Sequence, residues 1–144
     1  MAGSKYYSSP KIIPLGIIHR EKKLLENHYD FINCHIKKSI LYCIGIFKPT
    51  EFSIKYTYLI KYDGINKPSI YMINPKIEYN DNIHMYPKDN SLCLFHRSDM
   101  IWKQHHHLYK TIIPWTHEWI VFYELYNITG KWEHPEIRHG KLKE

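Results

Sequence analysis

The chain has 144 residues, with 20 Lys and Arg against 14 Asp and Glu, a net charge of +6 and a sequence pI near 9.1. Hydrophobic residues make up 44% and charged residues 24%, the composition of a folded domain, which excludes disordered, collagen-like and coiled-coil chains. A chain this long buries roughly two-thirds of its unfolded surface, so a single domain over 1–144 is expected, with 1–10 and 134–144 flexible.

Residues 19–36 place apolar or half-apolar side chains at Leu24, Leu25, His28, Phe31, Ile32 and Ile36. That three-to-four spacing predicts an amphipathic helix. Three segments rich in β-branched and aromatic residues follow, 39–47, 52–62 and 69–73. Lys48-Pro49-Thr50, Asp63-Gly64 and Asn74-Pro75 punctuate them, as in an antiparallel meander. Phe52, Ile54, Tyr56, Tyr58, Ile60 and Tyr62 alternate, so one face of that strand is expected to be buried. From 75 to 113 the periodicity ends. A connection of that length is usually functional or disordered, and its Cys93, Trp102 and other aromatics favour an ordered, functional loop. Pro114-Trp115-Thr116 then predicts a helix entry with Thr116 as N-cap and Glu118 in the first turn. Trp115, Trp119, Phe122, Tyr123 and Tyr126 share a face, and Thr129-Gly130 supplies the stop. The order defines an α+β domain, a meander flanked by helices.

No apolar run reaches the ~18 residues of a membrane helix; the window 40–47 contains Gly45 and is followed by Lys48-Pro49. The first ten residues lack a secretory apolar core. Three cysteines without dense spacing suit a reducing compartment, so a cytoplasmic location is expected. The positive charge is weak evidence for nucleic acid, because the lysines are scattered and Arg20, Arg97 and Arg138 are the only arginines.

Cys43 lies in an apolar strand and reads as a buried hydrophobe. Cys34, at the end of the first predicted helix, reads as an inert thiol. Cys93 differs, because it follows the turn-prone, exposed run 86–91 and is flanked by Leu92, Leu94 and Phe95. The thiolate is the attacking form, and a field from Lys88, His84, His96 or Arg97 would raise its fraction.

Two other chemistries compete. Cys93 and His96 form a C-x2-H pair, with His105, His106 and His107 close behind, a set compatible with zinc. Against zinc, three adjacent histidines do not converge on one ion and no second cysteine lies near. A noncatalytic binding module is the other, with Lys55-Tyr56, Tyr58 and Lys61-Tyr62 stacking on RNA bases. An amphipathic strand requires the same alternation.

The segment Ile83-His84-Met85-Tyr86-Pro87-Lys88-Asp89-Asn90-Ser91-Leu92-Cys93-Leu94 resembles the active-site segment of ubiquitin-conjugating (E2) enzymes. There a His-Pro-Asn tripeptide leads through a turn to the thioester-forming Cys, and a Trp follows; here Trp102 lies nine residues on. The chain is more similar still to bacterial E2-like proteins of antiphage (CBASS-type) operons. These carry a Ser-Leu-Cys-Leu core and downstream motifs like Pro114-Trp115-Thr116-His117-Glu118-Trp119, Tyr123-Glu124 and Thr129-Gly130-Lys131-Trp132.

The resemblance implies an E2 (UBC-like) fold with the cysteine on a long active-site loop. It also implies a thioester on Cys93 with the C-terminus of a protein, a cGAS-like nucleotidyltransferase, and transfer to an amine-bearing protein target in antiphage defence. Met85-Tyr86 stands where the family has Pro and Asn. Asn90, Asn82 or backbone N–H groups are therefore the candidates for oxyanion or loop support. His84 is expected to orient the loop by a hydrogen bond rather than act as a base, and Asp89 or Asp99 to assist the amine. No cofactor, metal, membrane or nucleic acid enters this scheme. The sequence has no Gly-rich phosphate loop: either an E1-like activating protein loads Cys93, or the chain acts on the nucleotidyltransferase without a dedicated E1. A noncatalytic E2-fold adaptor remains the alternative.

Overall fold

Pro14 opens the first helix at a position where a missing N–H costs nothing. The computed structural model describes residues 13–134 and orders them as α1 (Pro14–His28), β1 (Ile32–Lys37), β2 (Ile40–Phe47), β3 (Tyr56–Tyr62), β4 (Ser69–Asn74) and α2 (Ile112–Thr129). The strands form one antiparallel sheet in the order β1-β2-β3-β4, so the α+β expectation holds. No helix among the described residues is long and apolar enough to cross a membrane.

The first helix ends eight residues before the sequence suggests. Ile17, Ile18, Glu21 and Leu25 are its buried positions, whereas Ile32, Cys34 and Ile36 lie on β1 with exposed residues between them. A helical period was read across a helix-to-strand boundary. Lys38 and Ser39 have φ of 52° and 62° and link Lys37 to its partner Ile40, the geometry of a two-residue type I′ hairpin. That turn pulls residues 32–37 into the sheet, and it moves Cys34 from its expected helix end to a strand.

In β3, Tyr56, Tyr58, Ile60 and Tyr62 are buried as the alternation predicts. Phe52 and Ile54 lie outside the strand and are exposed. Thr50 and Ser53 close a local turn there, which ends the extended run. Gly45 on β2 faces Tyr58, and a Cβ there would collide with the Tyr58 ring and the Ile32 side chain. Glycine makes the space in which the Tyr58 hydroxyl meets His117 Nε2 at 2.7 Å.

Thr116 is not the N-cap of α2. The helix begins at Ile112, one turn earlier, and Thr116 is fully buried within it. Thr111 holds the cap position and donates its hydroxyl to the His107 carbonyl at 2.8 Å. The buried face is Ile112, Ile113, Thr116, Trp119 and Ile120; Trp115, Phe122, Tyr123 and Tyr126 are only partly covered. Glu124 ties the helix to the sheet by accepting from Ser53 Oγ at 2.9 Å and Tyr56 OH at 3.0 Å. Gly130, at φ 79°, ends the helix as expected. His134, expected to be flexible, lies 2.7 Å from Glu118 through its ring nitrogen. The flexibility expected for 1–10 and 135–144 falls outside the described residues.

The Glu21 carboxylate is fully buried. It accepts from Arg20 Nε at 2.8 Å and the Leu108 amide at 2.7 Å, and contacts His107 Nδ1 at 2.8 Å. It thereby fastens residues 107–108 to α1, while Arg20 also donates to the Gln104 carbonyl at 2.8 Å. Removing a buried carboxylate strands its donors. Glu21→Ala is expected to cost about 3 kcal/mol of unfolding free energy in urea titration; a cost below about 1 kcal/mol would show that this tie is dispensable.

Candidate active site

The long connection between β4 and α2 is ordered where it carries Cys93. Residues 84–93 form a small hairpin: Tyr86 N–H donates to the Ser91 carbonyl (2.8 Å), Asn90 N–H to Tyr86 (3.0 Å) and Cys93 N–H to His84 (3.0 Å). Its second arm lies on the outer edge of β4, where Tyr71 bridges Ser91 and Leu92 N–H donates to the Ile70 carbonyl at 2.8 Å. The hairpin thus supplies partners that the free edge of the sheet would otherwise lack. Ile83, Met85 and Leu92 are buried and join the core; Pro87, Lys88 and Asp89 are exposed at the tip.

Trp119 of α2 fixes the base of this hairpin. Its buried indole N–H lies 2.9 Å from the Ile83 carbonyl and 3.2 Å from the His84 carbonyl. The His84 carbonyl therefore receives both the indole and the Cys93 amide. Trp132 folds back beyond Gly130 and packs on Trp119 (5.6 Å) and on the His84 ring (5.9 Å). The downstream motif residues Trp119 and Trp132 are in this way structural parts of the cysteine segment.

Cys93 was expected on an exposed loop, and this is corrected: only 7% of it is exposed. Its Sγ lies 3.6 Å from the Phe95 carbonyl. The exposed run ends at residue 89, Asn90 is half-buried, and docking on β4 carries 91–94 beneath the surface. His84 has φ 56°, a backbone region costly for a side chain of its size. Burial, followed by the neighbouring His96 and His134, pushes its imidazole down to about 4. At neutral pH the ring carries no positive charge, so it adds nothing to the electropositive field expected around the thiol. The His84 main-chain carbonyl accepts the Cys93 amide.

Asn90 also has a left-handed backbone, φ 64°. Its side-chain oxygen accepts the Tyr79 amide at 2.8 Å and its nitrogen donates to Glu78 at 3.3 Å, joining the tip to the preceding loop. Asn82 contributes a backbone amide bound to Asn80. Asp89 accepts from Ser91 Oγ at 2.6 Å, from the Ser91 amide at 3.0 Å and from Tyr71 OH at 3.2 Å. Burial opposes ionisation of Asp89, but the Ser91 bonds, Tyr71 and Lys88 outweigh it and hold the carboxyl below its usual range. That carboxylate is committed to the hairpin.

Two clefts flank the segment after Cys93 and share Phe95 and Met100 as a common ridge. One, of about 460 Å³, has Leu94 and Trp115 in its apolar wall and contains Asp99 and Glu118. The other, of about 620 Å³, is aromatic and basic, with Tyr86 and Trp102 beside Lys67, His96 and Arg97. His96 and Arg97, two of the expected field sources, thus border a cleft, whereas Lys88 sits at the exposed tip.

The histidine run points elsewhere. His106 Nδ1 accepts the Lys103 amide at 2.9 Å, and His107 contacts Glu21. Among the described residues no three His, Cys, Asp or Glu side chains gather where they could hold a metal ion. Sequence reasoning overlooked Ser91 and Trp119 as supports of the hairpin. Trp119 carried a signal, because a buried indole N–H needs an acceptor.

Among the described residues, a four-stranded antiparallel sheet with one helix before it and one after it, and a cysteine-bearing hairpin on the sheet edge, is compatible with an E2-like fold. Residues 21–140 match the family described as Type II CBASS E2 protein, and the chain belongs to that family. A search of curated proteins finds no match.

The His117 imidazole, like that of His84, is pushed down to about 4, in its case by burial alone. Both folded values lie below the ~6.5 of an unfolded histidine. Between about 4 and 6.5 the unfolded chain therefore binds more protons, and stability falls as pH falls through that window. The melting temperature is expected to be level from pH 8 to 7 and to drop between pH 6.5 and 4.5. His117→Gln is expected to shallow that drop, and an equally steep curve in the variant would contradict the assignment.

Proposed function

We propose that the chain acts as an E2-like conjugating enzyme of CBASS antiphage defence, with Cys93 as the nucleophile. Family membership supports this reading. The observation that carries it is the placement of Cys93 on a hairpin clamped at both arms, to β4 and to Trp119. Such a clamp pre-positions a nucleophile without a cofactor.

In the first step the Cys93 sulfur attacks the activated C-terminal carbonyl carbon of a donor protein, a cGAS-like nucleotidyltransferase. A C–S bond forms, the activating group departs, and the thiol proton goes to solvent. In the second step an amine of the target attacks the thioester carbon, the C–S bond breaks, the amine loses its proton, and the sulfur regains one. The sequence holds no Gly-rich phosphate loop, and activation of the donor falls either to an E1-like protein that loads Cys93 or to a route on the nucleotidyltransferase that needs no dedicated E1. The reactions take place in the cytoplasm.

The clefts suit these two visitors differently. The cleft with Asp99 and Glu118 favours a cationic amine on an aliphatic stem, and the basic cleft favours the donor tail. His84 and Asn90 act as positioning residues, His84 by its carbonyl and Asn90 by tying the tip to Glu78 and Tyr79. With the Asn90 amide so engaged, oxyanion stabilisation falls to backbone N–H groups near Cys93.

Co-expression with a cGAS-like nucleotidyltransferase, with and without an E1-like activating protein, and mass spectrometry of the products tests the proposal. Cys93→Ala is expected to lower conjugate formation by at least about 1,000-fold with the melting temperature nearly unchanged. Cys34→Ala is expected to conjugate as the parent does. A Cys93→Ala chain that conjugates at the parental rate would refute the assignment and leave the noncatalytic adaptor.

A further inference from the structure

Cys34 and Cys43, which the proposed transfer does not use, are direct partners across β1 and β2. Both are free, and their sulfurs lie 3.2 Å apart with the Cys34 thiol donating. Their register has a consequence for chemistry. In a two-residue hairpin the closing pair, here Lys37 and Ile40, is hydrogen-bonded, and pairs alternate from there. Ile36 and Leu41 are then a non-hydrogen-bonded pair, His35 and Tyr42 a bonded one, and Cys34 and Cys43 non-bonded again. Side chains of non-bonded pairs approach most closely, with Cβ atoms near the lower end of about 4.5–5.5 Å. A disulfide needs about 3.5–4.5 Å. A small closing movement of β1, which among the described residues has a strand neighbour on one side only, meets that requirement.

We propose that Cys34 and Cys43 form an oxidation site, closing into a cross-strand disulfide when a small-molecule disulfide such as oxidised glutathione is present. Cys34 is the entry point, because it is half-buried on the edge strand while Cys43 is fully buried. The Cys34 sulfur, having released its proton, attacks one glutathione sulfur, forms a mixed disulfide and expels a glutathione thiolate. The Cys43 sulfur then attacks the Cys34 sulfur, loses its proton and expels the second glutathione. Two cysteine thiols are oxidised, one glutathione disulfide is reduced to two thiols, and the released protons end on those thiols. The contact with Cys34, then burial, pushes the Cys43 thiol up, so Cys43 serves as the resolving thiol rather than the first attacker. Lys22 and Glu26 of α1 are the charged groups within electrostatic reach of Cys43, and they are paired with each other at 3.0 Å.

The bond would close a ten-residue ring, Cys34 to Cys43, and staple the sheet edge. Reduced Cys93→Ala protein, which keeps only these two thiols, is equilibrated with excess oxidised glutathione. The expected product has lost two hydrogens, retains no glutathione and yields a peptide cross-linked between positions 34 and 43. Its melting temperature is expected to rise by about 5–10 °C and to return on addition of dithiothreitol. Cys34→Ala in the same background should gain no cross-link and no thermal shift. A lasting glutathione adduct on Cys34, two titratable thiols after equilibration, or a cross-link without a thermal shift would overturn the proposal.

Discussion

One indole N–H organises the site. Trp119 sits on the buried face of α2, where its nitrogen must find an acceptor or lose roughly 1–3 kcal/mol of hydrogen bonding. It finds the carbonyls of Ile83 and His84, at the point where the chain turns into the cysteine hairpin. The His84 carbonyl also takes the Cys93 amide. A helix, a strained backbone residue and a candidate nucleophile therefore share one acceptor, and Trp132 seals the arrangement from the other side of Gly130.

The sheet supplies the other half of the constraint. β4 ends the sheet, and its outward backbone groups require partners. Residues 91 and 92 provide them, so Cys93 follows directly from a strand that is held in register. The left-handed backbone at His84 and Asn90 is tolerated because that docking and the Asn90 side-chain bonds over-determine the hairpin. The surface that results is polarised: clefts of opposite charge meet along Phe95 and Met100, two and seven residues after Cys93 in the chain.

Much of this pattern is visible before folding, and its failures are informative. The alternation from Tyr56 to Tyr62 and the Thr129-Gly130 stop are local signals, and they survive. Residues 31–36 mislead, because spacing that fits a helix also fits an inward-facing strand, and only the Lys38-Ser39 turn decides between them. Thr116 is a good cap by composition, yet burial of Ile112 and Ile113 draws the helix start back by a turn. Cys93 is set apart from the other two cysteines by its neighbours in the sequence. Its burial is not foreseeable, since that depends on an edge strand twenty residues earlier. The Cys34–Cys43 pairing is hidden for the same reason, because a misread helix separates two residues that the hairpin makes partners.

The central claim is that Cys93 carries an acyl group, and Cys93→Ser tests it most directly, because an oxyester formed there resists thiols and accumulates. Co-expressed with a cGAS-like nucleotidyltransferase and an E1-like activating protein, the Ser variant should yield a hydroxide-labile, thiol-resistant adduct joining position 93 to the C-terminal residue of the nucleotidyltransferase. An adduct at any other position, or none from a folded Ser variant while the parent chain conjugates, would contradict the account.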